Sequence, residues 1–129
     1  MVKLKLPTTQ AASRRSTVRI PIAMLPRMAI DMEKSGFNKK QQSKWLNQAL
    51  NELFKIPDYT DLIAEEFITA GTTKSVSITL PADTEQNVID AIKAVSQIEK
   101  IDKDKSAVIR VAIIQRLLRT EGKALRMDE

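Results

Sequence analysis

The feature that most constrains this chain is a short pattern that occurs twice. RSTVRIPIAM runs from Arg15 to Met24, and KSVSITLPAD runs from Lys74 to Asp83. Each alternates polar and β-branched residues, meets a proline, and precedes a long stretch with helical spacing. In the first copy Ser16, Val18, Ile20 and Ile22 share one face, opposite Arg15, Thr17 and Arg19. In the second copy Val76, Ile78 and Leu80 face inward, opposite Ser75, Ser77 and Thr79. The alternation predicts two half-buried strands, the first ended near Pro21 and the second followed by Pro81.

After the first strand, Leu25, Met28 and Met32 recur at helical spacing, with Pro26 tolerable in a first turn and Gly36 as a stop. This predicts a helix from Leu25 to Lys34. Asn38 is a good N-cap for a second helix, whose stripe is Trp45, Leu46, Ala49, Leu50, Leu53 and Phe54 and which closes before Pro57. Trp45 belongs to the core. After the second strand Asp83 can cap a helix through Val88, Ile92 and Val95. A polar break from Lys100 to Lys105 then leads to Asp104 as the next cap. The last helix carries Val108, Ile109, Ala112, Ile113 and Leu117 on one face and reaches about Arg119.

The later helices of the two copies superimpose well. SKWLNQALNELF from Ser43 and SAVIRVAIIQRL from Ser106 place apolar residues at the same positions, 63 residues apart. The strands match at 58 or at 60, according to whether Ile22 is set against Leu80 or Pro21 against Pro81. One copy of the pattern cannot fold alone. Its strand lacks a partner for the backbone N–H and C=O groups, and some 45 residues bury too little apolar surface. Antiparallel pairing of the two strands would put their apolar faces under four helices and leave Arg15, Thr17, Arg19, Ser75, Ser77 and Thr79 facing solvent.

Composition narrows the chemistry. With 129 residues, 43% of them hydrophobic, the chain suits one small folded unit. It contains no cysteine and no histidine, which removes disulfides, thiolate metal sites and the commonest general base. We expect no enzyme, no cofactor and no metal site. Nor does any apolar run approach the roughly 20 residues a membrane helix needs, so the expected location is cytoplasmic. The net charge of +5 is unevenly spread. Residues 1–56 carry 11 positive and 3 negative charges, residues 57–73 carry 4 negative and none positive, and residues 74–129 carry 10 positive and 9 negative. The first half is the one suited to a polyanion. Aromatic residues make up only 4%, which leaves little on which single-stranded bases could stack.

The strands VRIP (Val18 to Pro21) and ITLP (Ile78 to Pro81) are each followed by a helix, a polar or glycine break and a helix of the form S-x-apolar-apolar-x-x-A-apolar. Each copy thus resembles a ribbon-helix-helix motif of the Arc and MetJ repressor superfamily. The resemblance spans roughly Arg15 to Phe54 and Lys74 to Arg119, with helix-to-helix spacings longer than usual. It implies a mainly α fold with a two-stranded antiparallel β-ribbon, a tandem ribbon-helix-helix forming an intramolecular pseudo-dimer. It also implies that the ribbon reads the major groove of double-stranded DNA. Carried onto this sequence, the base-reading residues would be Arg15, Thr17, Arg19, Ser75, Ser77 and Thr79. Phosphate would be held at the starts of the later helices, by Asn38, Lys39, Lys40 and Gln41 in the first copy and by Lys105 and Ser106 in the second.

The expected organisation is therefore a basic arm at 1–14 that includes Lys3 and Lys5, a first repeat at 15–56 and an acidic linker at 57–73. A second repeat at 74–119 and a charged tail at 120–129 complete it. The linker would hold a short helix through Leu62, Ile63, Phe67 and Ile68, ended by Gly71. The expected function is sequence-specific binding of double-stranded DNA in transcriptional repression, with further copies of the chain as partners on adjacent sites. Accessory DNA binding in plasmid transfer or partition is the alternative. An antitoxin-like or scaffold interaction module is the alternative of another class.

Overall fold

The computed structural model describes residues 13–66 and 72–128. Lys3, Lys5, Phe67, Ile68 and Gly71 lie outside them. Two nine-residue strands, β1 (Ser13–Pro21) and β2 (Thr73–Pro81), pair antiparallel from Ser13 opposite Pro81 to Pro21 opposite Thr73. Both strands begin earlier than the alternation alone indicated. Thr17 stands opposite Ser77 at the centre of the ribbon, so position matches position at a separation of 60, with Pro21 corresponding to Pro81. The register thereby decides between the two offsets left open by the sequence. Ile22 falls beyond the strand and is 47% exposed, not inward-facing; its N–H donates to Thr72 O at 3.0 Å.

Four helices cover one face of the ribbon and a fifth, shorter one lies in the linker. Helix α1 (Met24–Lys34) admits Pro26 because the first turn needs no donor there. It ends in a reciprocal pair of backbone bonds, Gly36 N–H to Glu33 O at 3.2 Å and Phe37 N–H to Met32 O at 2.8 Å. That closure requires a left-handed residue, and Gly36 supplies it at φ +87°. A 3₁₀ turn (Lys39–Gln41) then leads into α2 (Gln42–Leu53). In the linker α3 (Tyr59–Ala64) is shorter than expected; it buries Ile63 and packs on α4.

Helix α4 (Ala82–Glu99) starts at Pro81, so Asp83 lies inside its first turn, where its Oδ1 accepts from the Thr84 N–H at 2.9 Å. This corrects the expected cap. The stop is Lys100, which takes the left-handed conformation at φ 59°. Helix α5 (Lys105–Asp128) continues without a break through the stretch expected to be a tail. On that extension Glu121 pairs with Arg27 of α1, both oxygens being engaged at 2.8–3.2 Å.

The core lies between the ribbon and the helices. Val18, Ile20, Ile78 and Leu80 supply its ribbon side. Residues 63 apart in α2 and α5 occupy matching buried places: Trp45 and Val108, Leu46 and Ile109, Ala49 and Ala112, Leu50 and Ile113. Met28 and Val88, 60 apart, do the same in α1 and α4. The architecture is mainly helical with a two-stranded antiparallel sheet. No helix among the described residues is long and apolar enough to cross a membrane.

Candidate nucleic-acid interface

Period-two alternation sends Arg15, Thr17 and Arg19 of β1 and Ser75, Ser77 and Thr79 of β2 to the face of the ribbon opposite the helices. There they form three cross-strand pairs, Arg15 with Thr79, Thr17 with Ser77 and Arg19 with Ser75. All six are exposed. The two guanidinium groups lie across the ribbon, Arg15 Nε donating to Ser77 Oγ at 3.4 Å and Arg19 Nη1 to Thr73 Oγ1 at 3.2 Å. Neither arginine has a carboxylate partner among the described residues. Their charge is uncompensated at the surface, where a polyanion could use it.

The ribbon is held at both edges by serines that begin the later helices. Thr79 N–H donates to Ser43 Oγ at 2.9 Å, and Arg19 N–H donates to Ser106 Oγ at 3.1 Å. Each bond crosses from the strand of one copy to the helix of the other. Edge-strand N–H groups otherwise need water, so these two bonds both satisfy the backbone and fix the starts of α2 and α5 beside the ribbon. Ser43 was absent from the expected site, although it opens the repeated helix pattern. Ser106, expected to bind phosphate, accepts from the strand on its oxygen and keeps its hydroxyl hydrogen as a donor.

The two helix starts differ in chemistry. Ahead of α2, Asn38 Oδ1 accepts from Lys40 N–H and Gln41 Oε1 accepts from Asn38 N–H, both at 2.9 Å. This capping box occupies the side chains of Asn38 and Gln41 and leaves Lys39 and Lys40 pointing to solvent, with no ion pair among the described residues. Ahead of α5, Asp104 Oδ1 accepts from Ala107 N–H at 2.9 Å, so a carboxylate already fills the anion position of that helix. Lys105 is turned inward, where its ammonium pairs with Glu85 and donates to Ser16 Oγ at 2.9 Å. Lys103 is likewise taken up, by the carbonyl of Glu66 and by its carboxylate at 3.9 Å. Lys105 therefore leaves the set of exposed cations, because an internal carboxylate competes for it.

A cleft of about 920 Å³ accompanies this difference. It opens between Leu25, Met32, Phe37, Gln42, Lys74 and Val76, beside Lys39. The corresponding positions of the other half include Glu85, Ile92, Lys105 and Ser16, and there Lys105 pairs with Glu85 and donates to Ser16 Oγ.

Two buried arginines went unread in the sequence. Arg110 is 5% exposed; it donates from Nε to Glu66 Oε2 at 2.7 Å and from Nη1 to Arg19 O at 3.2 Å. Arg116 is 8% exposed and donates from Nε to Asp31 Oδ2 at 3.0 Å. The signal was present, since both arginines interrupt the apolar run VIRVAIIQRLL in the last helix. Among the described residues no group of three or more carboxylates is placed to hold a metal ion. No protein-family model, curated protein or solved structure matches the chain.

Proposed function

We propose that this chain is a tandem ribbon-helix-helix protein, an intramolecular pseudo-dimer that binds double-stranded DNA sequence-specifically. The observation that carries the reading is the outward face of the ribbon. Six exposed side chains of groove-reading type stand there in three facing pairs, with two arginines that have no carboxylate partner among the described residues. A two-stranded ribbon fits the major groove, where arginine bonds guanine and serine or threonine bonds a range of base edges. The reciprocal bonds of Ser43 and Ser106 support the pseudo-twofold arrangement, since they relate the same strand and helix positions in opposite directions.

Phosphate contacts position the protein, and ribbon contacts specify the sequence. Lys39 and Lys40 at the start of α2 supply the main backbone anchor, Arg15 and Arg19 the base contacts. One strand presents arginines and the other hydroxyls, so the recognised site is asymmetric. Repression by occlusion is the role this binding serves, in the cytoplasm, with further copies of the chain on adjacent sites.

The test is selection of bound duplex from a random pool, run with the wild type and with Arg19→Ala. A defined asymmetric site whose preference relaxes at one position in the variant is expected. A strictly symmetric palindrome removes the asymmetry, and absent binding or an unchanged preference removes the groove-reading model.

A further inference from the structure

We infer that the buried Asp31–Arg116 ion pair selects the pairing of unlike halves, so that each half accepts the other and rejects a second copy of itself. The inference rests on the tandem reading and deepens it by naming what makes the two partner surfaces complementary.

Arg116 belongs to the second half, and all its side-chain partners belong to the first. Nε donates to Asp31 Oδ2 at 3.0 Å, Nη2 to Ser35 Oγ at 2.9 Å, and Nη1 to Gln48 Oε1 at 2.6 Å and to Glu52 Oε2 at 3.1 Å. The guanidinium also lies over Trp45, 5.8 Å from the ring centroid. Trp45 Nε1–H in turn donates to Asp31 Oδ2 at 2.8 Å. The socket is thus built from residues 31 to 52, and the plug comes from α5.

The repeat relation shows what each alternative pairing would meet. The counterparts of Asp31 and Ser35, 60 residues on, are Ala91 and Val95; those of Trp45, Gln48 and Glu52, 63 on, are Val108, Val111 and Gln115. The counterpart of Arg116 is Leu53. Helix α1 lies against α5, and α2 against α4, so these positions are also the ones that cross between halves. If two second halves paired, each Arg116 would enter a site made of Ala91, Val95, Val108 and Val111, with one glutamine and no carboxylate. If two first halves paired, each Asp31 would face Leu53 and keep only Trp45.

Unpaired buried charge is among the costliest defects a core can hold, whereas the unlike pairing sets Asp31 against a guanidinium and Arg116 against two carboxylates, with only Asp31 Oδ1 lacking a hydrogen-bond partner among the described residues. Specificity of this kind comes from penalising the wrong partner. The tether alone would favour unlike halves only through local concentration. The ion pair makes the choice a property of the surfaces themselves.

The chain has no cysteine, so introduced thiols report pairing cleanly. Thr17 faces Ser77, and in a pairing of two first halves it would face another Thr17. The experiment inserts a protease site between Pro57 and Asp58, both exposed, in the Thr17→Cys chain. The folded protein is cut once, both pieces are retained, unfolded in urea and refolded together, and cross-linking between first halves is measured.

With Asp31 and Arg116 present, fewer than about a tenth of the first halves should cross-link. With Asp31→Ala and Arg116→Leu, which give each half the other's residue and leave no lone charge, the fraction should rise at least roughly threefold toward the statistical limit of about half. Equal cross-linking in the two backgrounds, whether high or low, overturns the inference. The uncut Thr17→Cys, Ser77→Cys chain separates this from the tandem reading. If its disulfide does not close within one chain, the paired ribbon itself is wrong; if it closes while the cut proteins pair alike, only the selectivity fails.

Discussion

Around Asn38 the chain presents Lys39 and Lys40 to solvent, whereas around Asp104 it turns Lys103 and Lys105 inward onto Glu66 and Glu85. The two loops precede corresponding helices, and the serines that follow them make matching bonds to the ribbon. What differs is where the positive charge is used. In the first half it stays at the surface; in the second it is consumed by carboxylates of the linker and of α4. The halves share an apolar pattern because both must cover one ribbon, and they diverge at polar positions because only unlike surfaces meet across the core.

The largest effect on this contrast should come from Arg116→Ala. It leaves Asp31 buried without its cation, and the expected loss is about 3–5 kcal/mol in urea unfolding. A loss below about 1 kcal/mol would mean that Asp31 is solvated in the folded state.

Next is the ribbon. Arg19→Ala should weaken binding to the selected duplex by about 1–3 kcal/mol, and Ser75→Ala, directly opposite, by less than about 1 kcal/mol. Equal effects in a titration would erase the division between arginine and hydroxyl strands.

The lysines sharpen the comparison between the loops. Lys39→Ala and Lys40→Ala should each lower the slope of log affinity against log salt by about 1, with little change in stability. Lys105→Ala should leave that slope unchanged and lower stability by about 1–2 kcal/mol, because Glu85 loses its partner. The opposite assignment, with Lys105 controlling the slope, would show that its pair with Glu85 opens on DNA.

The smallest effects belong to the caps. Asn38→Ala and Asp104→Ala should each cost about 1 kcal/mol of stability, since both remove a side-chain acceptor from a helix start. For binding they should diverge: Asp104→Ala removes a negative charge near phosphate and should improve affinity slightly, while Asn38→Ala should not.

The ribbon and its faces were legible from alternation alone, because a period of two leaves no choice about which side chains share a surface. Trp45 and its stripe were legible for the same reason at helical period. Asp104 was readable as a cap, since a short polar side chain satisfies free N–H groups at a helix start, while Asn38 caps the 3₁₀ turn rather than α2, whose own cap position is Gln41. Asp83 was misread because Pro81, already extended at φ −59° and ψ 153°, starts the helix two residues earlier. The continuation of α5 past Arg119 brings Glu121 into contact with Arg27 of α1, which no local pattern reveals.

The fate of Lys105 depends on Glu85 and Ser16, 20 and 89 residues away in the chain. Tertiary electrostatics of that kind has no sequence period, and neither has the socket that takes Arg116.

Entry of the ribbon's outward face into the major groove is open to a direct measurement. Ser77→Cys places a single thiol at the centre of that face, in a chain that otherwise has none. The measurement is disulfide capture with the selected duplex, carrying a thiol tether either on cytosine N4 in the major groove or on guanine N2 in the minor groove. Rapid capture from the major groove at one central position, and none from the minor groove, is expected. Capture from the minor groove, or equal capture at every position tried, would contradict entry into the major groove.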